Sequence, residues 1–186
     1  MAEQGQVKTG ELSPEAEARR QLALAQIRQY PDPVLRMRAH EVDDFDDDLV
    51  QLVGRMKRLM LEARGVGLAA NQVGVLRRVL VLQVDEEEEP HALVNPQVVE
   101  RSDERELEDE GCLSLQGVVV PVERPERVRL EARDAAGAPV ELELEGLAAR
   151  VAQHELDHLD GILIVDRTTP EGRREALGVL RQATAL

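Results

Sequence analysis

His154 and His158 lie four residues apart in Gln153-His154-Glu155-Leu156-Asp157-His158, with a carboxylate next to the first of them. On an α-helix this spacing stacks two imidazoles one turn apart on the same face, so both can reach one metal ion. Glu155 then sits where it can hold a water and take its proton. Two ligands leave an ion underbound. Catalytic zinc-type sites take three protein ligands and keep one position open, so a third donor has to come from elsewhere. The chain offers one cysteine, Cys112, and two further histidines, His40 and His91. Cys112 stands in Glu110-Gly111-Cys112-Leu113-Ser114, where the preceding glycine and the small polar residue that ends the motif permit a turn that presents the sulfur. His40 has arginine neighbours and His91 follows a glutamate run, so both read as solvated surface histidines. A histidine pair can also be a solvent-facing helix stripe, and a lone cysteine is more often a small buried hydrophobe than a ligand. Taken together, the two features favour Cys112 as the third ligand.

A third segment, Gly65-Val66-Gly67-Leu68-Ala69-Ala70-Asn71-Gln72, follows a helix-like stretch and precedes a strand-like one. Gly65 reads as the left-handed residue that ends the helix. Gly67 and Gln72 need another reason. A second glycine in an apolar run suggests close backbone approach by a ligand, and a glutamine after apolar positions needs a hydrogen-bond partner.

In this order, GVGLAANQ at 65–72, EGCLS at 110–114 and QHELDH at 153–158 resemble the three motifs of the peptide deformylase family, and the resemblance spans roughly residues 27–166. The chain departs from commoner family patterns at Asn71 and Gln116, neither of which carries chemistry. The resemblance implies a metal-dependent hydrolase that removes the N-formyl group from the N-terminal formylmethionine of newly synthesised polypeptides and releases formate. It implies Cys112, His154 and His158 as ligands of one divalent ion, Fe(II) as the physiological metal, and Zn, Ni or Co as ions the site could also hold. Glu155 would be the general acid and base, with the Gln72 amide and the Leu113 backbone N–H as donors to the oxyanion. One and two turns before His154 on the same helix, Leu147, Arg150 and Val151 would form the wall that receives the methionine side chain, with the Arg150 guanidinium reaching the rim. The backbones of Val66, Gly67 and Gly111 would pair with an extended peptide, a mode that reads main chain and tolerates sequence. A Glu110–Arg124 pair is expected to brace the cysteine loop. Asp157 reads as a helix-surface or locally hydrogen-bonded carboxylate.

Two rivals have different requirements. An HExxH metalloendopeptidase needs a downstream His or Glu ligand, and no histidine follows His158, while Glu171 and Glu175 lie in a plausible surface helix. A non-catalytic metal or ribosome-binding module needs a fourth protein ligand and leaves Glu155 and Gln72 without a purpose.

The remaining composition bounds the setting. At 186 residues the chain is long enough for one domain with a substantial core. One cysteine excludes an internal disulfide, the N-terminus lacks an apolar signal segment, and no apolar run approaches the roughly 20 residues that span a bilayer, so a cytoplasmic bacterial enzyme is expected. The net charge of −14 argues against a protein held to nucleic acid by phosphate contacts. The one candidate for transient ribosome contact is the C-terminal segment with Arg173, Arg174 and Arg181, which reads more readily as a solvated helix face.

These residues must be positioned by an α+β fold, with mixed or antiparallel sheets packed around a central metal-binding helix, one helix in the N-terminal half and one at the C-terminus. Residues 1–26 read as an extension, disordered or loosely helical from Ser13-Pro14, ahead of a single catalytic domain at 27–186. Leu49, Leu52, Val53, Met56, Leu59, Met60 and Ala63 form the apolar stripe of a helix begun by acidic residues near Asp46. Strands are expected at 78–84, 92–94, 97–106, 118–122, 127–133 and 140–144, the metal helix at 147–159 and a last helix at 171–183.

Overall fold

The computed structural model describes residues 3–4, 7–8, 10, 12–83 and 88–183. A short ribbon of β1 (Glu3–Gln4) and β2 (Val7–Lys8) precedes α1 (Pro14–Leu24), and α2 spans Asp47–Glu62. Next come β3 (Gly67–Ala69), β4 (Val79–Leu82), β5 (His91–Arg101), β6 (Arg105–Gly111), β7 (Val119–Pro125), β8 (Arg127–Arg133) and β9 (Pro139–Glu145). The helices α3 (Gly146–Leu159) and α4 (Pro170–Ala183) close the chain. Five strands form an antiparallel sheet in the order β3-β4-β5-β8-β9, and β6 pairs with β7 in a separate antiparallel ribbon.

The expected stripe of α2 is its buried face, and the helix begins where the Asp46 carboxylate accepts the Leu49 N–H at 2.9 Å. The alternation of β4 assigns its two faces. Val79 and Val81 pack in the layer with α1 and α2, while Leu80 and Leu82 pack against α3. A strand covered on both sides needs apolar residues throughout, which is why Val79-Leu80-Val81-Leu82 carries no polar position. From Ala149 to Leu159 every residue of α3 is buried. Ala148, Ala149 and Ala152 give this helix a narrow face toward the sheet, so it lies in the middle of the molecule with the sheet on one side and β7 on another.

Three expectations change. The strand expected at 97–106 is two strands, because the chain reverses at Ser102, whose hydroxyl donates to the Glu104 carbonyl and accepts the Arg127 N–H, both at 3.0 Å. Asn95-Pro96 does not break β5. Asn95 takes a left-handed φ of 52° and its side chain bridges the Val42 backbone at 2.8 and 2.9 Å, so a bulge is accommodated inside the strand. The left-handed residue after α2 is Arg64, at φ 61°, not Gly65. The Gly65 N–H closes the helix end on the Met60 carbonyl at 2.8 Å, and a Cβ on Gly65 would lie 2.7 Å from Leu113 Cδ1. Gly65 therefore packs directly against the Leu113 side chain of the cysteine loop. Val84, the last residue of the first expected strand, lies outside the described residues.

Candidate active site

Three elements converge at one point. The buried helix α3 carries His154 and His158, the turn after β6 carries Cys112, and the short segment after β3 carries Gln72. The side-chain donor atoms of Cys112, His154 and His158 lie within 4.8 Å of one another, and all three residues are buried. Cys112 Sγ is 3.2 Å from His158 Nε2. Sulfur and nitrogen donors on a tetrahedral ion are roughly 3.3–3.6 Å apart, given metal–ligand bonds of about 2.0–2.3 Å, so the Cys112–His158 spacing is close to that of two ligands of one ion.

The second nitrogen of His154 is fixed. Its Nδ1 donates to Glu110 Oε2 at 3.0 Å, which orients Nε2 toward the cysteine. Burial opposes charge on His154, but hydrogen bonds to Cys112 and Glu110 raise its pKa well above the usual imidazole value. Burial and the neighbouring His154 hold His158 neutral, the form that ligates a metal. Glu110 is fully buried, and although burial favours its neutral form, hydrogen bonds from Arg124 and His154 hold its carboxyl far below the usual range. The expected Glu110–Arg124 pair forms as a two-pronged contact at 2.5 and 2.9 Å.

Glu155 is 1% exposed, and burial pushes its carboxyl up to about 7. Its Oε2 has no hydrogen-bond partner within the protein. Gly67 makes room for this side chain: a Cβ there would meet Glu155 Oε1 at 2.5 Å, Glu155 Cγ at 2.8 Å and Val151 Cγ1 at 2.8 Å. Gly67→Ala is therefore expected to overpack a buried site, lowering stability by about 1–3 kcal/mol and activity about a hundredfold through displacement of Glu155. Thermal unfolding and single-turnover rates measured on one preparation check both parts.

Gln72 is buried and held at both ends. Its Oε1 accepts the Ala69 N–H at 2.8 Å, and its Nε2 donates to Ser114 Oγ at 3.1 Å and approaches Cys112 Sγ at 3.8 Å. The Ser114 N–H donates to the same sulfur at 3.4 Å, and Leu113 is buried between the two. Val66 and Gly67 are buried at the start of β3, an edge strand bonded only to β4, and Gly111 ends β6 opposite Val119. Val151 packs beside Gly67, whereas Leu147, in the first turn of α3, is 41% exposed.

Arg150 differs from the sequence expectation. Its guanidinium does not reach a solvent rim. It is 3% exposed and donates to Glu110 Oε1 and the Val122 carbonyl, each at 2.9 Å, and to the Glu106 carbonyl at 3.0 Å. Its Nε also pairs with the Glu108 carboxylate at 3.2 Å, so the buried guanidinium is held by partners on the β6–β7 ribbon. Of the two readings of Asp157, the hydrogen-bonded one holds and the helix-surface one does not. Asp157 accepts from Arg124 at 2.9 Å and from Arg167 at 2.5 and 3.0 Å, so α3 is anchored through a chain of charges from Glu110 to Arg167. Asn71, read as chemically silent, donates from Nδ2 to the His158 carbonyl and ties the Gln72 segment to the second histidine. Its place directly after the apolar run Leu68-Ala69-Ala70 was the sequence signal that could have found it.

Comparison with known proteins agrees with this geometry. Residues 24–174 match the family model described as polypeptide deformylase. The chain is 47% identical over 147 residues to a peptide deformylase of Thermotoga sp. (strain RQ2), covering 79% of this chain and 88% of that protein. It is 45% identical over 163 residues to peptide deformylase 1 of Corynebacterium glutamicum, covering 86% and 96%. Among solved structures, a peptide deformylase from Legionella pneumophila superposes with a TM-score of 0.80 at 40% identity, covering 86% of this chain and 94% of the other. The Plasmodium falciparum peptide deformylase complex with inhibitor gives 0.78 at 36% identity, covering 86% and 99%. A buried trio of metal donors, a glutamate beside them and this degree of similarity lead to one assignment: the chain belongs to the polypeptide deformylase family, metal-dependent enzymes that remove the formyl group from newly made polypeptides.

Proposed function

We propose that Cys112, His154 and His158 hold one divalent ion and that Glu155 moves the proton during hydrolysis of the formyl amide. The observation that carries this reading is the position of Glu155: buried on the helix of both histidines, with one carboxylate oxygen unpartnered by protein. A bound ion supplies a Lewis acid and lowers the pKa of water to near neutrality. Glu155, a buried carboxylate beside the first histidine, accepts a proton from the attacking water and returns it to the departing amine. The Gln72 amide and the Leu113 backbone N–H are the donors for the charge that develops on the formyl oxygen. Gln72 suits this role because its Oε1 is held by the Ala69 N–H, which turns Nε2 toward the cysteine loop.

Substrate binding follows from the same elements. The edge strand β3 and the end of β6 offer main chain at Val66, Gly67 and Gly111 to an extended peptide, while Val151, with Leu147 at the mouth, receives the methionine side chain. Arg150 shapes this pocket from behind by fixing Glu110 and the β6–β7 ribbon. A sulfur donor beside two imidazoles suits soft and borderline ions, in keeping with Fe(II) as the physiological metal and with Zn, Ni or Co as ions the site accepts.

The partner is the formylated nascent chain, met in the cytoplasm. No helix among the described residues is long and apolar enough to cross a membrane. Transient contact with the ribosome would fall to α4, where Arg173 pairs with Asp166 at 3.3 Å and Arg174 with Glu171 at 2.8 Å, so much of its positive charge is already matched.

The deciding assay supplies metal-loaded protein with formyl-Met-Ala, acetyl-Met-Ala and an internally cleavable peptide, and measures the free amine released. The formylated substrate is expected to react at least a hundredfold faster than the acetylated one. Equal rates on internal peptide bonds would remove the deformylase reading in favour of an endopeptidase.

A further inference from the structure

Asn71 and Gln72 are neighbours in the short segment Ala70–Val73, and their side chains bond to different elements of the site. Gln72 serves the cysteine loop: its Nε2 donates to Ser114 Oγ at 3.1 Å. Asn71 serves the other source of donors, with Nδ2 bonded to the carbonyl of His158 near the end of α3. Both residues are buried. The segment therefore joins the two elements that supply Cys112 and His158, whose donor atoms lie 3.2 Å apart.

The bond to His158 falls where a helix holds itself least. The last four carbonyls of an α-helix have no intrahelical N–H to accept from, so their residues are fixed by partners outside it. The His158 carbonyl accepts the Gly161 N–H at 3.0 Å and takes a second donor from Asn71. Only the nitrogen of an amide can face a carbonyl, so the Asn71 side chain has one orientation. Its Oδ1 is then left buried without a partner among the described residues. One bond gained and one oxygen left unpaired give little net stability. What Asn71 supplies is a fixed distance between the Gln72 segment and the second histidine.

We propose that Asn71 is a positioning residue that couples the metal site to the oxyanion donor: it holds the His158 end of α3 against the Gln72 segment and thereby raises metal affinity, and a bound ion in turn stiffens residues 70–75. This rests on the reading of Cys112, His154 and His158 as the ligands. The two effects are one coupling free energy seen from either side, since a contact that favours ion binding is itself favoured by the ion. Removing a group that orients a ligand from behind typically costs about 10- to 100-fold in metal affinity. Gly161 still holds the same carbonyl after the change, so the lower end applies.

The test titrates Co(II) into the full-length, metal-free protein and into two variants, each shown to be folded by its metal-free melting curve. Asn71→Leu keeps the number and branching of heavy atoms without the donor, and Asn71→Ala removes the donor with no overpacking. Both are expected to bind Co(II) about tenfold more weakly than the wild type and to alter the sulfur-to-cobalt absorption. Hydrogen exchange supplies a readout independent of turnover. The Gly74 and Val75 amides, which donate to the Asn71 and Ala70 carbonyls at 3.0 Å each, should exchange about tenfold more slowly once the wild type is loaded, and the variants should lose that protection. Equal affinity, equal absorption and equal metal-induced protection in all three proteins overturn the proposal. A lowered melting temperature with none of these changes overturns it as well, because Asn71 would then be a packing residue alone. The wild-type spectrum separates the two levels: without sulfur-to-cobalt absorption the reading of Cys112 as a ligand fails, and with it but with unmoved variants only the role of Asn71 fails.

Discussion

Glu155→Gln is expected to lower kcat by about 10² to 10⁴, the range of a general acid-base contribution, which corresponds to roughly 3–5.5 kcal/mol of transition-state stabilisation. The substitution keeps the size of the side chain and its packing against Gly67, and it removes only the capacity to take up and return a proton. Because Cys112, His154 and His158 form the donor trio without Glu155, metal content should stay at one ion per chain. KM should change little, since the pocket wall is untouched. The check is a pairing of metal analysis with steady-state kinetics on formyl-Met-Ala. A variant that binds metal normally and turns over at the wild-type rate would remove Glu155 from the mechanism.

Arg124→Ala should give the largest loss of stability among single changes around the site. Arg124 is 5% exposed and joins two buried carboxylates, Glu110 at 2.5 and 2.9 Å and Asp157 at 2.9 Å. Breaking a buried pair from one side costs about 3–5 kcal/mol, because the partner charge is left in a medium that solvates it poorly. Arg150 still reaches Glu110 at 2.9 Å and Arg167 still reaches Asp157, so the lower end of that range applies. A loss near 3 kcal/mol lowers the melting temperature by roughly 6–12 °C in a chain of this size. Metal affinity should fall as well, by about 10- to 100-fold, because Glu110 is what orients His154. Thermal unfolding and metal titration test the two effects separately. A variant that melts with the wild type and binds metal equally well would show that the charge chain does not brace the site.

Much of this site could be read from the chain because its information is local. The i, i+4 spacing of His154 and His158 places both rings on one face of any helix, whatever packs around it. The apolar run of 79–82 and the apolar stripe of α2 similarly need only local sequence pattern. The EGCLS and GVGLAANQ segments declared their importance through residue types that a strand or helix alone would not select.

What stayed hidden depends on contacts between segments far apart in sequence. Arg150 looks like a solvent-reaching arginine when α3 is taken alone, since a helix pattern gives the direction of a side chain but not what stands opposite. The β6–β7 ribbon brings Glu110 and the Val122 carbonyl to that face and turns the guanidinium inward. Asp157 became an anchor for the same reason, through Arg124 and Arg167. Gly65 was assigned the left-handed position on local grounds, whereas Arg64 takes it and Gly65 instead packs against Leu113. The sequence by itself pointed to the family, and it named the donor trio and the glutamate to which the proposed mechanism gives the proton. The tertiary structure decided which charges are buried together, because burial and charge pairing belong to surfaces that exist only once the segments have met.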